Sequence, residues 1–320
     1  MHTGQHYDDA LSDSFLRVLG IPKPDVDLEV GSATHGVQTA RIMERLEPVL
    51  SSAAPDWLVL YGDVNSTLAG ALVAAKLGIR IAHVEAGLRS GDWTMPEEIN
   101  RVVTDRLSDL LLIPSRDAGS TLLAEGEDAK SIVFVGNVMI DSLFHGLPAA
   151  RATRFREKQA ADERSVLVTL HRPSNVDDPR QLGMIAESLR ALATERKVFF
   201  TMHPRTRARV DRFGIDLSGV TVLEPLDYLE MLDLMSGSFA VITDSGGVQE
   251  ETTALGIPCL TVRSSTERPI TILEGTNQLV PDPRQIPERI AALTRPQSLR
   301  RPEGWDGAAG PRVVQALLTF

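Results

Sequence analysis

The chain has 320 residues, 42% hydrophobic and 24% charged, which is an ordinary globular balance and enough length for two domains. Net charge is −10 with no long run of one sign, which excludes general nucleic-acid binding, a function that needs a basic face. A single cysteine, Cys259, excludes an intrachain disulfide and, in the apolar run 257–260, reads as a core filler. No apolar run approaches the roughly 18 residues of a membrane span, and the start Met1-His2-Thr3-Gly4 has no signal-peptide pattern, so the expected location is the cytoplasm.

Residues 1–6 resemble the end of a strand and the turn after it, with a helix expected over 9–19. Strands are then expected at 56–61, 79–84, 110–114 and 132–135, and again at 166–170, 198–202, 220–223, 240–243 and 259–262. Most are continuous apolar runs, as parallel strands buried on both faces should be. Helical patterns fill the intervals, among them 64–77, 97–107, 179–195 and 249–255. This alternation predicts a doubly wound α/β architecture. The charged stretch 151–164 reads as a helix and linker between two such domains. The tail over 313–318 reads as a helix that crosses back onto the first. The expected division is 1–148 joined by 308–320, then 149–307.

Chemistry-bearing residues cluster at strand ends, where open α/β sheets place their sites. Asp63 ends the first run and precedes a helix; alone it reads as an N-cap. Glu85 follows the second strand, and a glutamate is a poor turn residue, which favours a functional reading. Glu97 and Arg101 are four apart on one helix and Glu98 and Arg101 three apart, so either pair could be a simple ion pair. His171-Arg172 and His203-Pro204-Arg205 follow two further strands and suggest an anion-binding rim. Neither has metal-ligand spacing, and no catalytic metal is expected. Ser245-Gly246-Gly247 links a strand to a helix, and glycine there lets a phosphate approach free helix-start amides. Glu251, one turn on, could accept from ribose hydroxyls, with Glu250 read as solvent surface. Arg268, in Thr266-Glu267-Arg268-Pro269, could neutralise a diphosphate.

Together these segments resemble the non-hydrolysing UDP-N-acetylglucosamine 2-epimerases. The resemblance rests on 3–6, Gly62-Asp63, 83–89, 96–101, 169–172, 243–251 and 266–269, which run in the family's order. It implies two Rossmann-like domains of the GT-B type, an active site in the cleft, a homodimer, no cofactor, and a role in cell-envelope polysaccharide synthesis. It also implies anti elimination of UDP from the sugar to give 2-acetamidoglucal, then re-addition to give UDP-N-acetylmannosamine. By resemblance Asp63, Glu85 and Glu97 are the acid/base candidates, with Arg101 and His171 beside them. Ser245, Gly246 and Gly247 would hold the diphosphate, Glu251 the ribose and Arg268 the leaving group's charge. Gln5, His6, Arg172 and His203 resemble positions lining a regulatory UDP-sugar site in bacterial members.

Two departures shape the expectations. The family begins with a strand and a Gly-Thr-Arg-Pro-Glu type loop, and Met1 stands where an aliphatic residue often precedes His-Thr-Gly-Gln-His. The expectation is a true start upstream by about one βαβ unit, leaving the first sheet without a central strand. Leu226 and Met231 stand where some members have Gln and an aromatic near the uracil. Three rivals remain: an epimerase of another UDP-2-acetamido sugar, a GT-B glycosyltransferase, and a truncated UDP-sugar-binding protein without turnover.

Overall fold

A computed structural model describes residues 1–4, 20–294 and 301–320. The expected helix over 9–19, with Gln5 and His6, lies outside the described residues. The chain divides into two compact units, 1–141 with 303–320, and 142–302.

The first unit holds a parallel sheet of order β1-β2-β3-β4, formed by Trp57–Tyr61, Arg80–Val84, Leu110–Ile113 and Ile132–Phe134. Helix His35–Ala53 turns Ile42, Leu46 and Leu50 onto one face, at the i, i+4, i+8 spacing of a helical stripe. These side chains pack with Leu58, Leu60 and Ile81. The C-terminal helix Ala309–Thr319 lies in the first unit and buries Val313 and Ala316 against Ala82, Val84, Leu110 and Leu112. Residues 2–4 hydrogen-bond in parallel along 26–31, apart from this four-stranded sheet.

The second unit holds a six-stranded parallel sheet, order β10-β9-β8-β5-β6-β7. Its strands are Val166–Thr169 (β5), Val198–Thr201 (β6), Thr221–Leu223 (β7), Ala240–Thr243 (β8), Cys259–Thr261 (β9) and Asn277–Leu279 (β10). The chain runs β5, β6, β7 outward on one side, then crosses to β8 on the other side of β5. The β5/β8 boundary is therefore the point where strand order reverses, the position at which such sheets bind ligands. Helix Pro179–Ala193 starts at Asp178, whose side chain accepts from the Arg180 amide, and covers the sheet with Leu182, Ile185 and Leu189. Cys259 is fully buried, as expected of a core filler. Strand β10 escapes sequence reading because its first residue, Asn277, is polar; its side chain is buried and bonded to Thr261, Gln249 and Thr271.

Candidate active site

In the first unit β1 and β2 are parallel neighbours with Tyr61 opposite Val84. The turns after them, carrying Asp63 and Glu85, therefore start side by side. Asp63 is not a helix cap: Val64 holds that position, before Asn65–Leu77. The Asp63 carboxylate instead takes a hydrogen bond from Arg101, and the Asp63 backbone carbonyl accepts from Asn100 Nδ2 at 2.8 Å. Glu85 adopts φ +74°, a left-handed conformation that costs a non-glycine residue and marks a constrained turn. Its amide and that of Ala86 both bond to the Leu112 carbonyl on β3.

Helix Pro96–Leu107 begins with proline at its first position and Glu97 and Glu98 in its first turn. The open choice between the two Glu–Arg pairs is settled in favour of Glu98, which meets Arg101 at 2.6 Å with both side chains buried. Glu98 also accepts from the Ser90 and Gly91 amides and the Ser90 hydroxyl. Burial would raise its pKa, but these donors and Arg101 together hold it below the ordinary carboxylate range. Glu98 thus fastens loop 90–91 to the helix, and leaves the half-buried Glu97 without Arg101 as a partner. The spacing allowed either glutamate to meet Arg101, but the bonds of Glu98 to Ser90 and Gly91 carried no sequence signal.

In the second unit His171 follows β5, and Ser245 follows β8, on paired strand ends (Thr169 opposite Thr243). Asp244, fully buried, accepts from the His171 and Arg172 amides and from Asn175 Nδ2 at 3.0 Å. His171 Nδ1 lies 3.0 Å from the same carboxylate. Burial disfavours the Asp244 charge, yet His171, Asn175 and the Arg172 amide hold its pKa below normal. A His171 tautomer that donates from Nδ1 leaves Nε2 as the outward acceptor on a half-exposed ring. Asp244 was only the start of a motif in the sequence; the structure makes it the anchor of the His171 loop.

Ser245 is the N-cap of helix Gly246–Leu255 and makes no side-chain cap bond. A helix start leaves its first amides without intrahelical acceptors and favours an anion. A Cβ built on Gly246 would lie 2.5 Å from Arg268 Nη1, so glycine is what lets that guanidinium reach the turn. Arg268 does not stand alone there. It pairs with Glu267 at 2.6 Å and with Glu250 at 3.0 Å. Glu250 is thus a buried ion-pair partner, 2% exposed, and the reading of it as solvent surface is corrected. Burial raises the Glu267 pKa, but Arg268 and Arg263 outweigh it and bring the group down to about 2. Glu251 is buried beside them and pushed up to about 7, by burial first, opposed by a hydrogen bond with Tyr228 and reinforced by the charge of Glu250. Gln249 Oε1 accepts from Thr266 and Asn277, which ties loop 264–269 to this helix.

The expected His–Arg rim is largely spoken for by other partners. Arg172 donates to the Asp244 carbonyl and stands 3.6 Å from Glu267. His203 caps helix Pro204–Phe213 by accepting from the Arg205 amide at 3.2 Å, and Arg205 pairs with Asp177. Among the described residues no group of three or more His, Cys, Asp or Glu could hold a metal, and no helix is long and apolar enough to cross a membrane.

The family model described as UDP-N-acetylglucosamine 2-epimerase matches residues 1–318. A UDP-N-acetylglucosamine 2-epimerase of Methanocaldococcus jannaschii is 40% identical over 330 residues, covering 99% of this chain and 90% of the relative. A UDP-2,3-diacetamido-2,3-dideoxy-D-glucuronate 2-epimerase of Pseudomonas aeruginosa is 46% identical over 284 residues, 88% of this chain and 79% of the relative. The crystal structure of the Methanocaldococcus jannaschii enzyme in complex with UDP-GlcNAc and UDP superposes with a TM-score of 0.90 at 38% identity, covering 100% of this chain and 91% of that one. The Neisseria meningitidis enzyme bound to UDP-GlcNAc gives 0.88 at 28% identity, covering 98% and 90%. With two Rossmann-like units of the GT-B type and this match along its length, the chain belongs to the UDP-N-acetylglucosamine 2-epimerase family of isomerases.

Proposed function

We propose that this chain interconverts UDP-N-acetylglucosamine and UDP-N-acetylmannosamine. A base takes the C2 proton while the C1–oxygen bond to UDP breaks, and the C2–H electron pair becomes the C1–C2 double bond of 2-acetamidoglucal. The diphosphate leaves with the C1–O pair. UDP then adds back at C1 while a proton returns to the opposite face of C2. Electrons balance without any redox step, so the demands are proton handling on two faces and charge stabilisation for the departing diphosphate.

In this reading Asp63, Glu85 and Glu97 handle protons, with Arg101 and His171 beside them. Ser245, Gly246 and Gly247 receive the diphosphate, Arg268 offsets its charge, and Glu251 takes the ribose. The observation that carries it is Glu85 held at φ +74° beside the paired ends of β1 and β2, one turn from Asp63 and its Arg101 partner. Glu85→Gln should abolish solvent exchange at C2 and leave UDP affinity within about twofold, because it removes a proton handler and no UDP contact. Turnover at the parent rate would remove Glu85 from the scheme.

The Pseudomonas aeruginosa relative supports a second substrate, a UDP-2,3-diacetamido uronate, because its identity over the shared 88% of this chain exceeds that of the Methanocaldococcus jannaschii relative. Parallel kcat/KM measurements on the two sugars decide between them. A homodimer, a cytoplasmic setting and a role in cell-envelope polysaccharide synthesis belong to the same reading and are supported by the family resemblance. Sedimentation equilibrium checks the dimer.

A further inference from the structure

We propose that His83 is a permanently protonated, buried positioning residue that locks the acid/base segments of the first unit together. The inference rests on the proposed roles of Asp63, Glu85 and Glu97. His83 sits in β2 between Ala82 and Val84 and is fully buried. Every side chain around it in that strand except the exposed Arg80 is apolar, so a polar ring there costs free energy unless each of its groups is satisfied.

Both ring nitrogens are satisfied, and by acceptors. Nδ1 lies 2.6 Å from Asp105 Oδ1, and Nε2 lies 2.8 Å from the Gly62 carbonyl oxygen. A carbonyl oxygen has no proton to give. A neutral imidazole has one N–H and could serve only one of these partners. With Asp105 ionised, two acceptors require two N–H groups, hence an imidazolium. Asp105 is ionised: its second oxygen takes the Gly87 amide at 3.0 Å and pairs with Arg89 at 2.7 Å.

The groups facing the ring agree. Burial alone would strip its proton, but the hydrogen bond and charge of Asp105, then the Gly62 carbonyl and the charge of Glu85, outweigh it. Arg89 acts on Asp105 and is itself paired with Glu125. Helix 65–77, which packs on β2, contributes only the exposed Lys76, and β3 contributes none. At the far end of the strand Asp109 is bonded to the Ile81 amide.

The consequence is mechanical and electrostatic. Through Nε2 the ring orients the Gly62–Asp63 peptide. Through Asp105 it holds Gly87, two residues beyond Glu85, and helix 96–107, which carries Glu97 and Arg101. One buried cation thus joins all three carboxylate-bearing segments, and its charge favours the ionised form of Glu85. Displacing such segments by about 1 Å costs on the order of 10²-fold in rate.

Two measurements test this. In the whole chain labelled with ¹⁵N-histidine, NMR from about pH 6 to about pH 9 spans the range where an ordinary histidine titrates. One ring should keep both nitrogens protonated throughout. An unprotonated nitrogen on His83 at neutral pH would overturn the proposal. His83→Gln keeps a donor and removes the charge. Its kcat should fall on the order of 10²-fold with KM within about twofold, and the acid limb of its rate profile should move to higher pH. Loss of kcat with an unmoved acid limb would also overturn it. If the variant does not fold, the parent spectrum decides. Should Glu85→Gln retain exchange while His83 is doubly protonated, the acid/base reading fails and the charge assignment stands. A neutral His83 with an inactive Glu85→Gln is the reverse.

Discussion

Two buried glutamates of the second unit titrate in opposite directions, and each makes a prediction. Glu251, pushed up to about 7, is half ionised near neutrality. If its carboxylate accepts from ribose hydroxyls, UDP affinity should rise as pH is raised from about 6 to about 8, and calorimetry should show a weaker rise with 2′-deoxy-UDP. Tyr228→Phe removes the hydrogen bond that opposes the shift, so the midpoint should move upward. Affinity independent of pH would contradict the ribose role. Because the folded pKa lies above the ordinary value of 4.5, Glu251 stabilises least at high pH: its contribution is full below 4.5 and falls until pH passes about 7. Glu267 has the opposite sign. Its pKa of about 2 contributes stability above the ordinary 4.5 that is lost as pH falls toward 2. Glu267→Gln would leave Arg263 and Arg268 without their shared buried carboxylate, at a cost of about 3–5 kcal/mol by denaturant titration.

Between residue and sheet, glycines decide how closely elements approach. Gly87 has φ +82°, and a Cβ there would lie 2.5 Å from the Ala118 carbonyl oxygen, which is backbone and cannot yield cheaply. Gly87→Ala should therefore destabilise the first unit by about 2–3 kcal/mol or more, seen as a lower unfolding midpoint. At Gly246 a Cβ would meet Arg268 Nη1 at 2.5 Å and Glu267 Oε1 at 2.8 Å, two groups held together in a buried ion pair. Gly246→Ala should therefore destabilise the second unit, seen as a lower unfolding midpoint, and weaken UDP binding by about tenfold, through the displaced guanidinium and the crowded amides. The element level was also where the sequence was most legible. Continuous apolar runs such as 110–113 and 240–243 announce parallel strands, and the turns after them announce Asp63, Glu85, His171 and Ser245. What stayed hidden was set by tertiary partners: Glu98 rather than Glu97 meeting Arg101, Asp244 gathering the His171 loop, Glu250 turning inward to Arg268, and polar β10 held by Gln249. A one-dimensional pattern records polarity, and these residues are polar yet buried.

For the molecule as a whole, the proposed roles divide between the two sheets. Asp63, Glu85 and Glu97, the proposed proton handlers, belong to the unit of 1–141 and 303–320; Ser245, Gly246, Gly247, Glu251 and Arg268, proposed to hold the diphosphate and ribose, belong to that of 142–302. Saturating UDP at about 100 times its Kd should then stabilise the protein by about 2.7 kcal/mol, read as a rise in Tm, and Arg268→Ala should remove much of that rise. The central claim is reversible elimination at C2, and it has a direct readout. The chain is incubated with UDP-N-acetylglucosamine in D₂O and the sugar C2 proton is followed by NMR. Deuterium at C2 together with new UDP-N-acetylmannosamine signals is the predicted result; a C2 proton that never exchanges while UDP-N-acetylglucosamine is bound would contradict the account.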